Sequence, residues 1–152
     1  MKLDRQWLAD HIPHHGNMCL LDTILQWDAA TICCGSNTHR AADNPLRAHG
    51  RLGAACGIEY AAQAMAAHAA LRAGTGTGTG SSGGRPSSGF LISARALELH
   101  VTRLDDVAAA LQIEAQRLGA DRTTALYEFS LRAERRLLLA GRATVVLGNL
   151  AP

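Results

Sequence analysis

The chain has 152 residues, 47% hydrophobic, 18% charged and 4% aromatic, with a formal net charge of +2. That length and mix fit one globular domain and exclude a disordered chain, a collagen-like repeat and a coiled-coil rod, while the near-neutral balance gives no electrostatic case for nucleic acid as a partner. Cys19, Cys33, Cys34 and Cys56 contain no Cys-x-x-Cys pair, which reads as reduced thiols of a cytoplasmic protein, and no apolar stretch reaches the roughly 20 residues that span a bilayer.

Residues 4–11 read as a short helix with Asp4 as its N-cap and Trp7 and Leu8 on the buried side. Ile12-Pro13 stops it, because the residue before proline avoids the helical region. Met18–Trp27 reads as a strand, and Thr31–Asn37 as its hairpin partner around Asp28-Ala29-Ala30. Residues 40–53, with Asn44-Pro45, Gly50 and Gly53, read as an ordered irregular loop.

Ala55–Arg72 is the strongest helix signal. Eight of the sixteen residues of Ala55–Ala70 are alanine, and only Glu59 and Arg72 carry charge. A helix that is small and apolar all round is a buried one, most simply covered by a curved sheet. Gly74–Ser88 is low-complexity Gly, Ser and Thr. It lacks a Gly-Lys-Ser/Thr and trails a helix, so it reads as a flexible surface linker and not as a phosphate loop.

The last third alternates with period two. Leu97, Leu99 and Val101 form one apolar row; Leu111, Ile113 and Ala115 a second; Ala125, Tyr127, Phe129 and Leu131 a third; Leu137, Leu139, Ala143, Val145 and Leu147 a fourth. These predict four half-buried antiparallel strands, with hairpins near Gly119-Ala120-Asp121 and Ala133-Glu134-Arg135. Helix, two strands, buried helix, four strands is the order of a hotdog fold: a single α+β domain over residues 1–152, its antiparallel sheet wrapped around one central buried helix. The open edge strand of such a sheet predicts pairing with its own copy.

Glu59 stands in the first turn of this apolar helix. A carboxyl in such a place either caps the helix or delivers a proton. Gln63, four residues on, shares its face and is positioned to fix the carboxyl, to touch substrate, or to be a satisfied polar residue at a dimer seam. His68 lies nine residues along, about 13.5 Å of rise away, too far to act with Glu59. His11, His14 and His15 are interrupted by Pro13 and have no supporting carboxylate or Cys, so no metal site is expected.

Gly57-Ile58-Glu59-Tyr60-Ala61-Ala62-Gln63-Ala64 resembles the Glu-Ala-Met-Ala-Gln helix start of bacterial 3-hydroxyacyl-acyl-carrier-protein dehydratases. Ile12-Pro13-His14-His15-Gly16-Asn17-Met18-Cys19-Leu20-Leu21-Asp22 is similar to their Leu-Pro-His-Arg-x-Pro-Phe-Leu-Leu-Val-Asp opening. Gly50-Arg51-Leu52-Gly53 is similar to a Gly-Arg-Leu-Pro-like stretch of the divergent branch found with aryl-polyene and xanthomonadin-type pigments. The resemblance implies a hydro-lyase that removes water from a thioester-bound 3-hydroxyacyl chain, with Glu59 as the general acid. In the main families a histidine of a Gly-His-Phe-Pro motif, contributed by the other subunit, is the base. Here Pro45 stands fourteen residues before Glu59, which leaves His14 and His39 as the leading candidates, followed by His49. The enolate formed from the thioester calls for backbone N–H groups at the helix start, those of Ala54, Ala55 and Cys56. The resemblance implies acyl-carrier protein as partner and no cofactor beyond the phosphopantetheine or CoA that carries the substrate. Arg47, Arg51 and Arg95 are candidates to receive its phosphate. Two other readings fit the same residues: a hotdog acyl thioesterase, or a non-catalytic acyl-binding subunit of a heterodimeric dehydratase.

Overall fold

The computed structural model describes residues 3–76 and 90–146. It opens with helix α1 (Arg5–His11), whose N-cap Asp4 accepts the Trp7 N–H at 3.1 Å. Leu8 enters the core, and the Trp7 indole lies flat on the His11 ring with centroids 4.1 Å apart.

The first strand is shorter than the apolar run predicts. Met18 closes a 3₁₀ turn (Gly16–Met18), and β1 spans Thr23–Trp27. The Leu20 peptide is bonded by side chains instead of by a neighbouring strand, so no ladder forms there. β2 (Thr31–Ser36) pairs antiparallel with β1. Their turn is fixed by the Asp28 carboxylate, which accepts the N–H groups of Ala30 and Thr31.

After a loop comes a 3₁₀ turn, Ala54–Cys56, and then α2 (Gly57–Gly76). The helix starts two residues later than expected, because Ala55 and Cys56 lie in the tight turn. It also runs through Gly74–Gly76, since glycine weakens a helix without breaking it as proline does. The rest of the expected linker lies outside the described residues. Tyr60, Ala61, Ala64, Met65, Ala67 and Leu71 are buried, along with the polar Gln63 and His68. Small side chains are what allow so many sides of one helix to be covered.

β3 (Phe90–Leu99), β4 (Leu111–Ala120), β5 (Thr124–Ala133) and β6 (Arg136–Val146) complete a six-stranded antiparallel sheet of order β1-β2-β4-β5-β6-β3. α2 packs against β2, β3, β4 and β5, the expected hotdog arrangement. The inward rows of β4 and β5 are those predicted. In β6 Leu138 is buried as well. The register passes from Leu131↔Leu139 to Arg132↔Leu137, so Leu138 is the extra residue of a bulge.

β3 departs from expectation. It begins at Phe90 and stops at Leu99, short of Val101. Leu97 and Leu99 are 41% and 49% exposed. Leu99 nevertheless pairs with the fully buried Leu139 and shares its face. The alternation therefore points the right way, on a strand at one edge of the sheet.

Two close contacts join α2 to the sheet. A Cβ on Gly57 would lie 2.7 Å from Cδ2 of Leu139 and 3.1 Å from Cδ2 of Leu131, both leucines being fully buried. Farther along, His68 Nε2 meets the Asp28 carbonyl at 2.8 Å and Nδ1 meets the Tyr127 hydroxyl at 2.7 Å. A carbonyl only accepts, so Nε2 carries the proton and Nδ1 accepts from Tyr127. Burial pushes the His68 pKa down, with the Arg72 and Arg117 charges adding to it and the Asp28 contacts opposing it.

Gly57→Ala is expected to cost about 1–2 kcal/mol of stability by overpacking, whereas Gly53→Ala, where an added Cβ meets nothing within 4 Å, changes it by less than about 0.5 kcal/mol; urea unfolding checks both. Because His68 binds its proton less readily folded than unfolded, its contribution is complete above an unfolded pKa near 6.5 and is lost as pH falls through that value toward the lower folded one. Unfolding free energy should therefore decline from pH 7 to pH 5, and the His68→Gln chain should decline less.

Candidate active site

The start of α2 and the segment after α1 converge. Pro13 ends α1's course and turns the chain so that His14 Nε2 lies 3.2 Å from Glu59 Oε1. The side chains are 23% and 34% exposed. This is a histidine and a carboxyl in direct contact, both reachable from outside. His14 Nδ1 is buried and has no hydrogen-bond partner among the described residues, which leaves Nε2 as the ring nitrogen that works with Glu59.

His14 is held there through the residues that follow it. Met18 N–H donates to His15 C=O and Cys19 N–H to Gly16 C=O, both at 3.1 Å. Gln63, fully buried, donates from Nε2 to Met18 C=O at 2.7 Å and accepts Leu20 N–H on Oε1 at 2.8 Å. It was expected to fix the Glu59 carboxyl or to touch substrate; both ends of its amide are instead committed to backbone. The Leu20 carbonyl accepts from Ser36 Oγ at 2.6 Å and Thr38 Oγ1 at 2.7 Å. With the Thr38 proton so used, the Tyr60 hydroxyl 2.8 Å away donates to Thr38 and accepts from Asn44 Nδ2 at 3.0 Å. Burial pushes the Tyr60 pKa up, which keeps that donor proton in place. Arg5 completes the frame, donating to Asp22 Oδ1 at 3.0 Å and to the carbonyls of Leu21 and Gly16 at 3.3 and 3.4 Å.

The other base candidates lie elsewhere. His39 is buried and its Nε2 donates to Val107 C=O at 2.9 Å. Burial lowers its pKa, opposed by its bonds to the Val107 and Ala109 backbone. With Arg40, which donates to Ala108 C=O, it anchors the connection between β3 and β4. His49 sits on an exposed turn with φ of 54° beside Gly50 at 76°. Of the three, the structure brings only His14 to Glu59.

The expected N–H donors are mostly occupied. Ala54 N–H donates to Thr102 C=O at 3.1 Å and Cys56 N–H to Gly53 C=O at 3.0 Å. Ala55, exposed at the same turn, keeps its N–H without an acceptor among the described residues. Arg47 is likewise spent, its Nε on Ala41 C=O at 2.9 Å and its guanidinium 3.8 Å from Asp105, while Arg51 and Arg95 are exposed. Among the described residues no cluster of three His, Cys, Asp or Glu side chains could hold a metal ion.

Asp105 went unnoticed in the sequence. Its carboxylate accepts Leu52 N–H at 2.9 Å and Arg103 Nε at 2.9 Å. The Arg103 guanidinium and the Leu52 N–H hold its pKa well below the carboxylate range. It ties the β3–β4 connection to the loop that feeds α2. Beside it runs a groove of about 650 Å³, lined by residues including Thr102, Val107, Arg136 and Leu138; a second of about 540 Å³ lies by Cys33, Glu114 and Arg132. Neither is lined by His14 or Glu59.

A family model described as ApeP-like, ApeP dehydratase, matches residues 7–150. No curated protein matches the sequence. The chain is similar in structure to the dehydratase heterocomplex ApeI:P from Xenorhabdus doucetiae, at a TM-score of 0.79 and 20% identity over 94% of this chain and 91% of that one. It is also similar to AziG from S. sahachiroi, at 0.59 and 16% identity over 88% and 94%. A mutant thioesterase from Pseudomonas aeruginosa gives 0.57 and 13% identity over 84% and 81%. These likenesses show a shared hotdog fold.

Proposed function

The chain belongs to the ApeP-like dehydratase family, and from that premise we propose that it is the hydro-lyase acting on a 3-hydroxyacyl thioester, with His14 as base and Glu59 as acid. The observation that carries the assignment is the 3.2 Å contact between them. His14 Nε2 takes a proton from the α-carbon; the electron pair of that C–H bond becomes the second bond of the alkene. The C–O bond at the β-carbon breaks, and its oxygen leaves as water with the proton of Glu59. The products are an enoyl thioester and water, with His14 protonated and Glu59 ionised. Their contact then lets the proton pass from ring to carboxylate, which restores the starting state without a cofactor.

The thioester carbonyl gathers negative charge as the α-proton leaves. The Ala55 N–H is the donor left available to meet it, at the start of α2 where the helix dipole adds to its effect. The acyl chain would arrive on the phosphopantetheine of acyl-carrier protein or on CoA, with exposed Arg51 near the loop that feeds α2 as a phosphate contact.

A second hotdog chain completes the reading. β3 is one of the two edge strands of the sheet, and the inward apolar row through Leu97 and Leu99 is uncovered. Such an edge and row are removed from water when a second sheet pairs along β3. The similar ApeI:P structure is a heterocomplex, which supports a variant of this reading: a partner hotdog chain supplies the walls of the site, and the isolated chain turns over slowly or not at all.

Glu59→Gln is expected to lower dehydration by about 10²–10⁴-fold, assayed with any required partner chain present. Mass spectrometry of the product should find an enoyl thioester; free acid and thiol would assign the chain to thioester hydrolysis. Leu99→Asp is expected to shift the sedimentation of the assembly toward the single chain, with the circular dichroism spectrum kept.

A further inference from the structure

Glu59 and Gln63 stand four residues apart on one face of α2, and the segment from His14 to Leu20 lies along that face. The segment touches the helix at two places. At one end His14 meets Glu59. At the other the Gln63 carboxamide spans Met18 C=O and Leu20 N–H, the two groups that a neighbouring strand would otherwise satisfy. Between these points the 3₁₀ turn links Met18 to His15 and Cys19 to Gly16, so a displacement of the gripped peptide is carried to His14 with little slack. The Leu20 carbonyl is held as well, accepting from Ser36 and Thr38.

We propose that Gln63 is a positioning residue for the reaction: by gripping the Met18–Leu20 peptide it sets the approach of His14 to Glu59. The proposal rests on the assignment of those two side chains to the chemistry. A shift of about 1 Å at a reacting pair costs on the order of 10²-fold in rate, so loss of the grip is felt in turnover more than in binding. Gln63 itself touches neither substrate nor Glu59.

Two variants of the full chain test it, with any required partner present. Gln63→Met keeps the volume and removes both hydrogen bonds. It is expected to lower kcat by at least tenfold with KM within about threefold of the parent, since the binding surface is unchanged. In long-range ¹H–¹⁵N spectra the His14 ring should pass from one Nδ1–H tautomer, with Nε2 free to accept, to a mixture. Gln63→Glu restores both bonds only when its carboxyl is protonated, one oxygen accepting and the O–H donating. The ratio of its kcat to the parent's should therefore rise as pH falls. A folded Gln63→Met chain with the parent's kcat and an unaltered His14 ring would overturn the proposal. If Gln63→Met does not fold, a pH-independent ratio for Gln63→Glu overturns it instead. The ring spectrum needs no turnover, so the two ideas fail separately. Unchanged activity in Glu59→Gln with a shifted His14 ring in Gln63→Met would refute the reaction assignment and leave the strut standing.

Discussion

The Gln63 carboxamide sits fully inside the core with its oxygen and its nitrogen each on a backbone group. Left unpaired, each such buried group would cost about 1–3 kcal/mol, so α2 can carry this side chain only where a peptide of matching spacing passes beside it. The passing segment is the one that begins at His14. The alanines around Gln63 serve the same end, since a helix of larger side chains would hold that segment at a greater distance. A buried amide, thin helix walls and a histidine beside a carboxyl are thus one arrangement, and the Ser36–Thr38–Tyr60–Asn44 chain of hydroxyls and amide closes it from behind.

The sequence lacks the Gly-His-Phe-Pro motif of the main hotdog dehydratases, and the structure shows what stands in its place. The loop that would carry that histidine is tied down by other contacts: Asn44 to Tyr60, Arg47 to Ala41, and Leu52 to Asp105. The imidazole beside the helix acid comes from the first segment of the same protomer. With the proposed acid and base in one protomer, a second subunit has a different task. In this account it covers the β3 edge and walls the site, and the proton can return from base to acid without crossing between chains.

Helix α1, the order of elements and the inward rows of β4 and β5 were legible because each is a local pattern: a cap, a period, a turn residue. Glu59 was legible as a lone charge among alanines, and His14 through the likeness of Pro13-His14 to a known opening. The face of Gln63 is legible in the sequence but its partners are not, because spacing along a helix reveals which side a residue faces and not which distant peptide meets it there. His39 looked equal to His14 in one dimension; only the path of the β3–β4 connection takes it to Val107. Asp105 gave no signal, since its partners Leu52 and Arg103 meet it only through tertiary structure. Leu97 and Leu99 lie on the expected face, yet their exposure follows from the edge position of β3, which alternation along a strand does not reveal.

The central claim is that the His14 ring removes the α-proton. Its most direct test follows loss of deuterium from a 2-deuterated 3-hydroxyacyl thioester into water, using the chain with its hotdog partner and His14→Gln in parallel. The account predicts release by the parent assembly and release at least 10²-fold slower by the variant. Release at the parent's rate from a folded His14→Gln assembly would contradict it and place the base elsewhere.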